Sequence, residues 1–538
     1  MKKTPNATLL RNNRYGETEK KRVAKAAGTI GLATLLSRVF GFIRDMVVAG
    51  LFGAGLATDA FFVAFRIPNL LRRLFAEGSL TIAFVPVFTE CLEKRTKKDA
   101  IDLANAAFTL LSIILVAVSL LGIIFSPYIV KIIAPGFAKI PDKYQLTVFL
   151  TRLMFPYIFF ISLVALCMGI LNSLRHFAAP AIAPVALNIS MIFAALWLRD
   201  YFDEPVVALA IGVMAGGIIQ LAMQFPFLLR VGVKLKPDFH FNNPGLKRIG
   251  ILMLPAVFGA AVYQINIFIS TLLASLLPGG SVSYLYYADR IVQLPLGIFA
   301  IAIGTASLPS FSEHAARGDL EELKKTISFS LSLILFVTVP AMVALIVLRV
   351  PIISVLFQRG EFNALSTVLT AQALFFYALG LWAFSVIRVI VSAFYSLQDT
   401  KTPVKVAVIA LTVNIIMGII LMFPLKHGGL ALATSIASAV NAVILFFLLR
   451  KKLGPFLEKD FYISFLKVAG ASLVMGFVIL AIDHALGFST EQPFLDRLII
   501  LAVAIFAGLV VFTVTSYVMK SREMVETVKI VGEKLKRR

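Results

Sequence analysis

The segment AFVPVFTE at residues 83–90 returns as ASLPSFSE at residues 306–313, and this recurrence sets the expected architecture. Pro86 and Pro309 are 223 residues apart (309 minus 86). Three further pairs of segments match in the same order along the chain. Ser-Leu followed by Pro180 (173–180) matches Ser-Leu followed by Pro403 (396–403), NISM (188–191) matches NIIM (414–417), and FLLR (227–230) matches FLLR (447–450). A long, nearly constant period predicts a duplicated structural unit.

The repeated segments lie among apolar stretches that are long enough to cross a bilayer. The chain is 59% hydrophobic and 15% charged, with a mean hydropathy of +0.91. About 20 apolar residues cross a hydrocarbon core as a helix. Fourteen such spans are predicted, at residues 26–53, 59–89, 102–129, 145–172, 180–199, 205–230, 247–277, 283–309, 325–349, 364–395, 403–425, 428–450, 461–485 and 494–519.

The spans and the repeat together predict an all-α polytopic membrane protein. Each repeat holds six spans, so the two halves have the same orientation, which is typical of the paired lobes of alternating-access transporters. The last two helices lie outside the repeat. The predicted order is a basic cytoplasmic tail (1–25), an N-terminal six-helix lobe (26–230), a cytoplasmic linker (231–246), a C-terminal six-helix lobe (247–450), helices 13 and 14 (451–519) and a basic cytoplasmic tail (520–538).

The basic residues indicate the orientation. The net charge is +22, and the cations concentrate in the tails and in the connections that follow even-numbered spans: Lys94, Arg95, Lys97, Lys98, Arg175, Lys234, Lys236, Lys247, Arg317, Lys324, Lys401, Lys405, Lys451 and Lys452. The positive-inside rule then places both termini in the cytoplasm. We expect the tails to contact anionic membrane lipids. Because the cations line short loops rather than a soluble binding fold, nucleic acid is not an expected partner.

Charged side chains inside the first two spans mark a candidate site. Arg38, Arg44, Arg66, Arg72 and Arg73 occur there together with three carboxylates, Asp45, Asp59 and Glu77. A charge at the bilayer centre costs about 3 kcal/mol by insertion scales, so such residues are expected to face protein or a wet cavity. Seven-residue spacing puts Arg38 on one helix face with Asp45, and Asp59 with Arg66, whereas Arg44 points elsewhere.

Arginine in excess of carboxylate favours an anionic cargo. Arg290 lies 224 residues after Arg66 (290 minus 66), so both repeats supply an intramembrane arginine. Guanidinium groups bind phosphate oxygens as a bidentate fork. Two other interpretations stay open: Arg–Asp pairs that lock helices together, and arginines near the helix ends that reach water.

Sequence signatures of catalysis are missing. There is no GxxxxGK[ST] phosphate loop, and the five histidines have no metal-ligand spacing. Cys91 and Cys167 form no redox or metal motif. Asn266 and Asn414 are candidate sodium ligands, but membrane asparagines more often bridge helices. The metal question is therefore open, and we expect a protein that is not an enzyme and has no cofactor.

The charged motifs resemble those of the lipid II flippase family MurJ (MviN). The resemblance rests on SRVFGFIRD (37–45), FGAG (52–55), TDAFFVAFRIPNLLRRLFAEG (58–78), APGF (134–137), FPY (155–157), NISM (188–191), YYADR (286–290) and DTKTPVK (399–405). It implies membership of the multidrug/oligosaccharidyl-lipid/polysaccharide exporter superfamily. It covers nearly the whole chain apart from the first 25 or so residues and the weakly marked last two spans.

The resemblance also implies a function. Members carry lipid II, an undecaprenyl-diphosphate-linked peptidoglycan precursor, from the inner to the outer leaflet of the bacterial cytoplasmic membrane by alternating access. The family's functional cavity residues correspond to Arg38, Arg44, Asp45, Asp59, Arg72 and Arg290, and its last two helices form a groove for the lipid tail. The charge pattern, rather than the resemblance, leads us to expect coupling to the membrane potential, with a monovalent cation as the other candidate, and the cell-wall synthesis machinery is a candidate partner. The alternatives are a flippase for another undecaprenyl-linked glycan and a cation-coupled exporter.

Overall fold

A computed structural model of the chain describes residues 7–73, 80–457 and 459–526. Helices account for nearly all of these residues, and no β-strand occurs among them. The first eight helices are α1 (Ala7–Phe52), α2 (Leu56–Leu71), α3 (Thr81–Lys94), α4 (Lys97–Ile133), α5 (Pro141–Met154), α6 (Tyr157–Ser173), α7 (Ala178–Trp197) and α8 (Val207–Arg230). The remaining ten are α9 (Pro244–Ser275), α10 (Ser281–Pro295), α11 (Ile301–Arg317), α12 (Leu320–Val347), α13 (Arg349–Phe357), α14 (Ala364–Ala378), α15 (Leu381–Ser396), α16 (Lys401–Leu453), α17 (Lys459–Ala485) and α18 (Phe494–Val518).

The all-α fold class is confirmed, and every predicted span corresponds to helix. Within the described ranges, nine helices are long and apolar enough to cross a membrane, or ten when α14 and α15, which meet at 41°, count as one bent span. The helix α16 contains two predicted spans, 403–425 and 428–450. Non-helical backbone at Lys426 (φ 50°, ψ −132°) interrupts the helix between them. The span predicted at 59–89 corresponds to α2 and α3, and its residues 74–79 lie outside the described part.

Local sequence signals fix several helix ends. Thr96 and Asp99 form a reciprocal capping box before α4: the Thr96 backbone N–H donates to Asp99 Oδ2 at 3.1 Å, and the Asp99 N–H donates to Thr96 Oγ1 at 3.2 Å. At the start of α14, Asn363 Oδ1 accepts the backbone N–H of Ser366 at 2.9 Å. Each of these side chains satisfies a backbone donor that has no partner inside the helix.

A π-helical turn occurs at a corresponding place in both repeats. Residues 296–300 form a π turn between α10 and α11, and residues 72–73, which follow α2, are π-helical as well. With the 224-residue separation of Arg66 and Arg290, position 72 corresponds to position 296 (296 minus 224). A π turn inserts one residue into the helical repeat and often occurs at functional sites.

The described residues form two compact units. The described residues of the N-terminal unit fall within 1–48, 60–131 and 141–264, and those of the C-terminal unit fall within 49–59, 132–140 and 265–538. In the N-terminal unit, α8 packs closely on α7 because Gly212 and Gly216 lack side chains. A Cβ atom on Gly212 would lie 2.9 Å from the Ala194 Cβ, and one on Gly216 would lie 2.7 Å from Leu187 Cδ1.

The C-terminal unit has an apolar core to which α12, α15, α16, α17 and α18 contribute. Leu323, Ile334, Ile390, Leu449 and Ala504 are fully buried within it. Many large apolar side chains on the outer helices are instead exposed, including Phe477 and Phe506 on α17 and α18. Apolar surface of this extent on long helices is typical of contact with lipid rather than water.

Candidate functional site

A buried ion pair anchors α1 to α7 in the N-terminal unit. The Arg44 guanidinium donates to Asp45 Oδ1 through Nη2 at 2.7 Å and through Nε at 3.1 Å. Its Nη1 donates to Asn188 Oδ1 at 3.0 Å, and Asn188 Nδ2 donates to the Ser37 carbonyl at 3.2 Å. Arg44, Asp45 and Asn188 are all buried. The helix spacing had grouped Asp45 with Arg38, but the structure pairs Asp45 with its neighbour Arg44, the arginine expected to point elsewhere.

The other arginines of the first two spans are more accessible than Arg44. Arg38 is exposed and makes no hydrogen bond or ion pair with any residue in the described ranges. Arg66, Arg72 and Arg73 are half-buried, and Arg72 Nε donates to Asn69 Oδ1 at 2.9 Å. Arg38 is thus the predicted cation of the N-terminal unit that is most open to an anionic ligand.

Asp59 caps the start of α10. It is buried in the C-terminal unit, where its Oδ1 accepts the backbone N–H of Ser283 at 2.9 Å and the Ser283 hydroxyl at 2.7 Å. Its Oδ2 accepts the backbone N–H of Gly280 at 2.7 Å. The Gly280 φ of +89° is a left-handed conformation that glycine adopts without strain. The carboxylate therefore satisfies donors at the positive N-terminus of α10.

Arg290 is the cation that α10 offers in the C-terminal unit. It is half-buried, its Nη2 donates to the Tyr286 hydroxyl at 2.9 Å, and its Cζ lies 4.8 Å from the centre of the Tyr286 ring. These contacts hold the guanidinium along the helix face. The adjacent Tyr287 is buried against Phe357 and Phe362, so the YYADR segment anchors one tyrosine in the core and uses the other to orient Arg290.

The repeat-related asparagines, Asn188 and Asn414, have similar roles. In the C-terminal unit, Asn414 Nδ2 donates to Asn266 Oδ1 at 2.6 Å and so joins α16 to α9. Thr434 Oγ1 also donates to Asn414 Oδ1, at 3.4 Å. Asn188 joins α7 to α1 in the N-terminal unit. Sequence reasoning did not include Asn188 among the site residues, although a polar residue repeated in two apolar spans is a usable signal.

The DTKTPVK segment forms a charged cap at the start of α16. Asp399 Oδ1 accepts the Thr402 backbone N–H at 3.0 Å, and Oδ2 accepts the Thr402 hydroxyl and the Lys452 ammonium, both at 2.9 Å. The Thr402 backbone N–H and the Lys452 ammonium stabilise the ionised carboxylate and lower the pKa of Asp399 to about 2. This part of the family motif fixes a loop and a helix start.

Some predicted features cannot be placed. Glu77 lies outside the described residues, as do residues 1–6 and 527–538 of the predicted tails. Residues 7–25 of the expected N-terminal tail are helical and belong to α1. Within the described ranges, no group of three or more His, Cys, Asp or Glu side chains is arranged to hold a metal ion.

Comparisons with known proteins point to one family. The family model described as "Lipid II flippase MurJ" matches residues 48–495. A relative from Buchnera aphidicola subsp. Acyrthosiphon pisum, named "Probable lipid II flippase MurJ", is 38% identical over 471 residues, which are 88% of this chain and 92% of the relative. The solved structure "Lipid II flippase MurJ, inward closed conformation" has a TM-score of 0.75 at 29% identity and covers 91% of this chain and 98% of its own. An inward-facing multidrug resistance MATE family transporter of the MOP superfamily shares the fold, with a TM-score of 0.64 at 16% identity over 80% of this chain and 98% of its own.

Proposed function

Because this chain belongs to the MurJ family of lipid II flippases, we propose that it moves lipid II from the inner to the outer leaflet of the bacterial inner membrane by alternating access. The cargo bears a diphosphate, so a cationic binding surface is required for it to leave the aqueous headgroup region. The observation that carries the proposal is the exposure of Arg38, which lies inside a predicted span and makes no hydrogen bond or ion pair with a residue in the described ranges. The half-buried Arg290 supplies the corresponding cation in the second repeat.

The contacts of each arginine favour different roles. Arg38 has an exposed guanidinium and no ion pair among the described residues, so its donors are available to phosphate oxygens. Arg290 is oriented by the Tyr286 hydroxyl and ring, which reduces the conformational entropy lost on binding. Arg44 and Asp45 instead hold α1 against α7, and Asp59 holds the start of α10. Five of the six predicted site residues thus divide into two arginines proposed to contact the cargo and three residues that position helices, and the half-buried Arg72, which donates to Asn69, is assigned to neither group.

We propose that both termini lie in the cytoplasm. The basic connections after even-numbered spans support this orientation. The connections at residues 358–363 and 486–493 then face the outer side, and the Asp399–Lys452 pair faces the cytoplasm. The proposed activity makes and breaks no covalent bond, so no catalytic acid, base or nucleophile is required.

We also propose that transport is coupled to the membrane potential, with a monovalent cation as the second candidate. When one elementary charge crosses the whole membrane, its electrostatic free energy changes by about 2.3 kcal/mol for every 100 mV of the inside-negative membrane potential. In the cargo-free protein, Arg38 carries a charge with no described ion-pair partner. The potential would draw this charge toward the cytoplasm, and bound diphosphate would cancel it.

The decisive experiment measures the leaflet accessibility of lipid II in cells that are depleted of their flippase and complemented with this protein. We expect restored outer-leaflet lipid II with the wild type and loss of restoration with Arg38→Gln or Arg290→Gln at equal protein levels in the membrane. Arg522→Gln is a matched control, because Arg522 forms an exposed ion pair with Glu526. If the wild type restores another undecaprenyl-linked glycan but not lipid II, the proposed cargo is wrong.

A further inference from the structure

A second cationic site lies at the start of α18, away from the residues discussed above. Arg497, in the first turn of that helix, is 8% exposed. Its Nη1 donates to the Ser354 hydroxyl at 2.8 Å. Its Nε is buried and has no hydrogen-bond partner among the described residues. A buried guanidinium donor without an acceptor is costly, because the group has lost its water without gaining a partner.

A polar network holds this arginine in place. The Ser354 hydroxyl that accepts from Arg497 donates to Gln358 Oε1 at 2.8 Å, and Thr367 Oγ1 donates to the same oxygen at 3.1 Å. Gln358 Nε2 donates to the Thr490 carbonyl at 2.8 Å. The network connects α13, the start of α14 and the segment before α18. The unused Arg497 donor is therefore held in a preorganised position.

A second guanidinium, that of Arg359, adds to the positive charge. Its Nη2 donates to the carbonyls of Val355 and Leu356 at 3.0 and 2.7 Å, at the C-terminus of α13. Its Cζ lies 5.7 Å from the centre of the Phe494 ring. A Cβ atom on Gly50 would approach Arg359 Cγ to 2.8 Å, so the glycine leaves space for this arrangement.

Carboxylates do not neutralise the two arginines. Partial burial lowers the pKa of Arg359, and the positive charge of Arg497 lowers it further. Glu361 and Asp496 are the acidic residues nearest in sequence, and both are exposed. Within the described part of the chain, neither forms an ion pair with Arg359 or Arg497. Arg359 lies against Phe494 in the first turn of α18, the turn that contains Arg497, and the two arginines contact the neighbouring residues Val355 and Ser354 of α13. Two guanidinium groups at one helix end without a described counterion favour a bound anion.

We propose that Arg359 and Arg497 bind the phosphate group of a membrane lipid headgroup. Phosphate offers several acceptor oxygens to guanidinium donors, including the buried Nε. The neighbouring surface of α18 suits the rest of such a ligand, because Phe494, Leu495 and Ile499 are exposed apolar residues along which an acyl or prenyl chain can lie. The site is separate from the arginines assigned to transport, and it requires only the outer-face orientation of the proposed function.

Native mass spectrometry of the full-length protein in detergent tests the site. Three probes are titrated in parallel: phosphatidylglycerol, undecaprenyl diphosphate and inorganic diphosphate, with an uncharged diacylglycerol of the same acyl chains as the phosphate-free reference. Loss of one charge-assisted guanidinium contact is expected to weaken binding of the phospholipid on the order of ten-fold in Arg359→Gln and in Arg497→Gln. Binding of diacylglycerol should be the same in the wild type and in both variants.

Arg349→Gln is the matched control. Arg349 also donates to a helix carbonyl, that of Ile346, and lies against an aromatic ring, that of Phe375, but it makes neither of the contacts that connect Arg359 and Arg497 to α18. The Arg349→Gln variant should bind phosphatidylglycerol as strongly as the wild type does. Should Arg497→Gln fail to fold, the exposed Arg359 still provides the test.

The probes separate the sources of the phosphate. Weaker binding of phosphatidylglycerol in both variants supports a resident phospholipid, and an effect limited to undecaprenyl diphosphate supports the cargo lipid. An effect limited to inorganic diphosphate overturns the assignment to a lipid, and equal binding of every probe by all variants overturns the site. Lipid II transport is measured with the same purified proteins after reconstitution into liposomes, so failure of the wild type to transport would count against the proposed function without altering the binding result.

Discussion

Replacement of Asp59 should destabilise the protein rather than weaken cargo binding. Asp59→Ala removes the acceptor of three hydrogen bonds, at 2.7, 2.9 and 2.7 Å, and leaves the backbone donors of Gly280 and Ser283 buried without it. Each such donor costs about 1–3 kcal/mol when its acceptor is removed, so the expected loss in the free energy of unfolding is about 3 kcal/mol or more. Ser283→Ala removes only the hydroxyl bond and should cost about 1 kcal/mol.

The free energy of unfolding can be measured by titrating the protein in mixed micelles with denaturing detergent while helix content is followed. Asp59→Asn keeps one carbonyl acceptor and should fall between the wild type and Asp59→Ala. Asp200→Ala is the matched control, because the exposed pair of Asp200 with Arg199 is expected to contribute at most about 1 kcal/mol. Wild-type stability of Asp59→Ala together with abolished transport would show that the carboxylate acts on the cargo and that the capping role is wrong.

Three further outcomes are expected. Arg44→Ala leaves Asp45 buried without its arginine and should lower the free energy of unfolding by about 3 kcal/mol. Arg38→Gln should change the free energy of unfolding by no more than about 0.5 kcal/mol and should abolish transport. Detergent unfolding and the leaflet assay distinguish the two variants, and equal stabilities would contradict the roles assigned from the burial of Arg44 and the exposure of Arg38. The lowered pKa of Asp399 contributes stability that is complete above the pKa of the unfolded chain, near 4, and is lost as pH falls toward 2. Asp399→Asn should therefore remove part of the dependence of the free energy of unfolding on acid pH. An unchanged pH profile would argue against the bond between Asp399 and Lys452. Dissipating the membrane potential while the pH gradient is kept should stop transport and trap the outward-facing state, which cysteine accessibility can report; unchanged accessibility and export would refute voltage coupling.

The fold was largely predictable because its signals are local or periodic. Apolar length located the spans, including the division between the spans at 403–425 and 428–450, where the structure has non-helical backbone at Lys426. The short helix α13 was not predicted, because eight of its nine residues fall between two predicted spans and so short a segment cannot be distinguished from a loop by length. Breaks inside spans, such as the one between α5 and α6, depend on how neighbouring helices satisfy the freed backbone groups.

The contacts between the site residues were harder to predict than the identity of those residues. Unusual charge density identified the arginines, but helix spacing could not show that Arg44 reaches its neighbour Asp45, because a long side chain can bend along the helix. The partner Asn188 is 144 residues away and is brought to Arg44 only by tertiary packing. Similarly, the capping role of Asp59 depends on where Gly280 lies, which no local pattern indicates.

The π turn that both repeats carry bears on the ancestry of the chain. An inserted helical residue is energetically unfavourable in isolation, so a duplicated gene would be expected to lose it from one copy unless each copy still needed it. Its presence at residues 72–73 and 296–300 is most simply explained if a single ancestral six-helix protein already contained the irregularity. Because each repeat holds six predicted spans, two copies of such an ancestor would have entered the membrane with the same orientation.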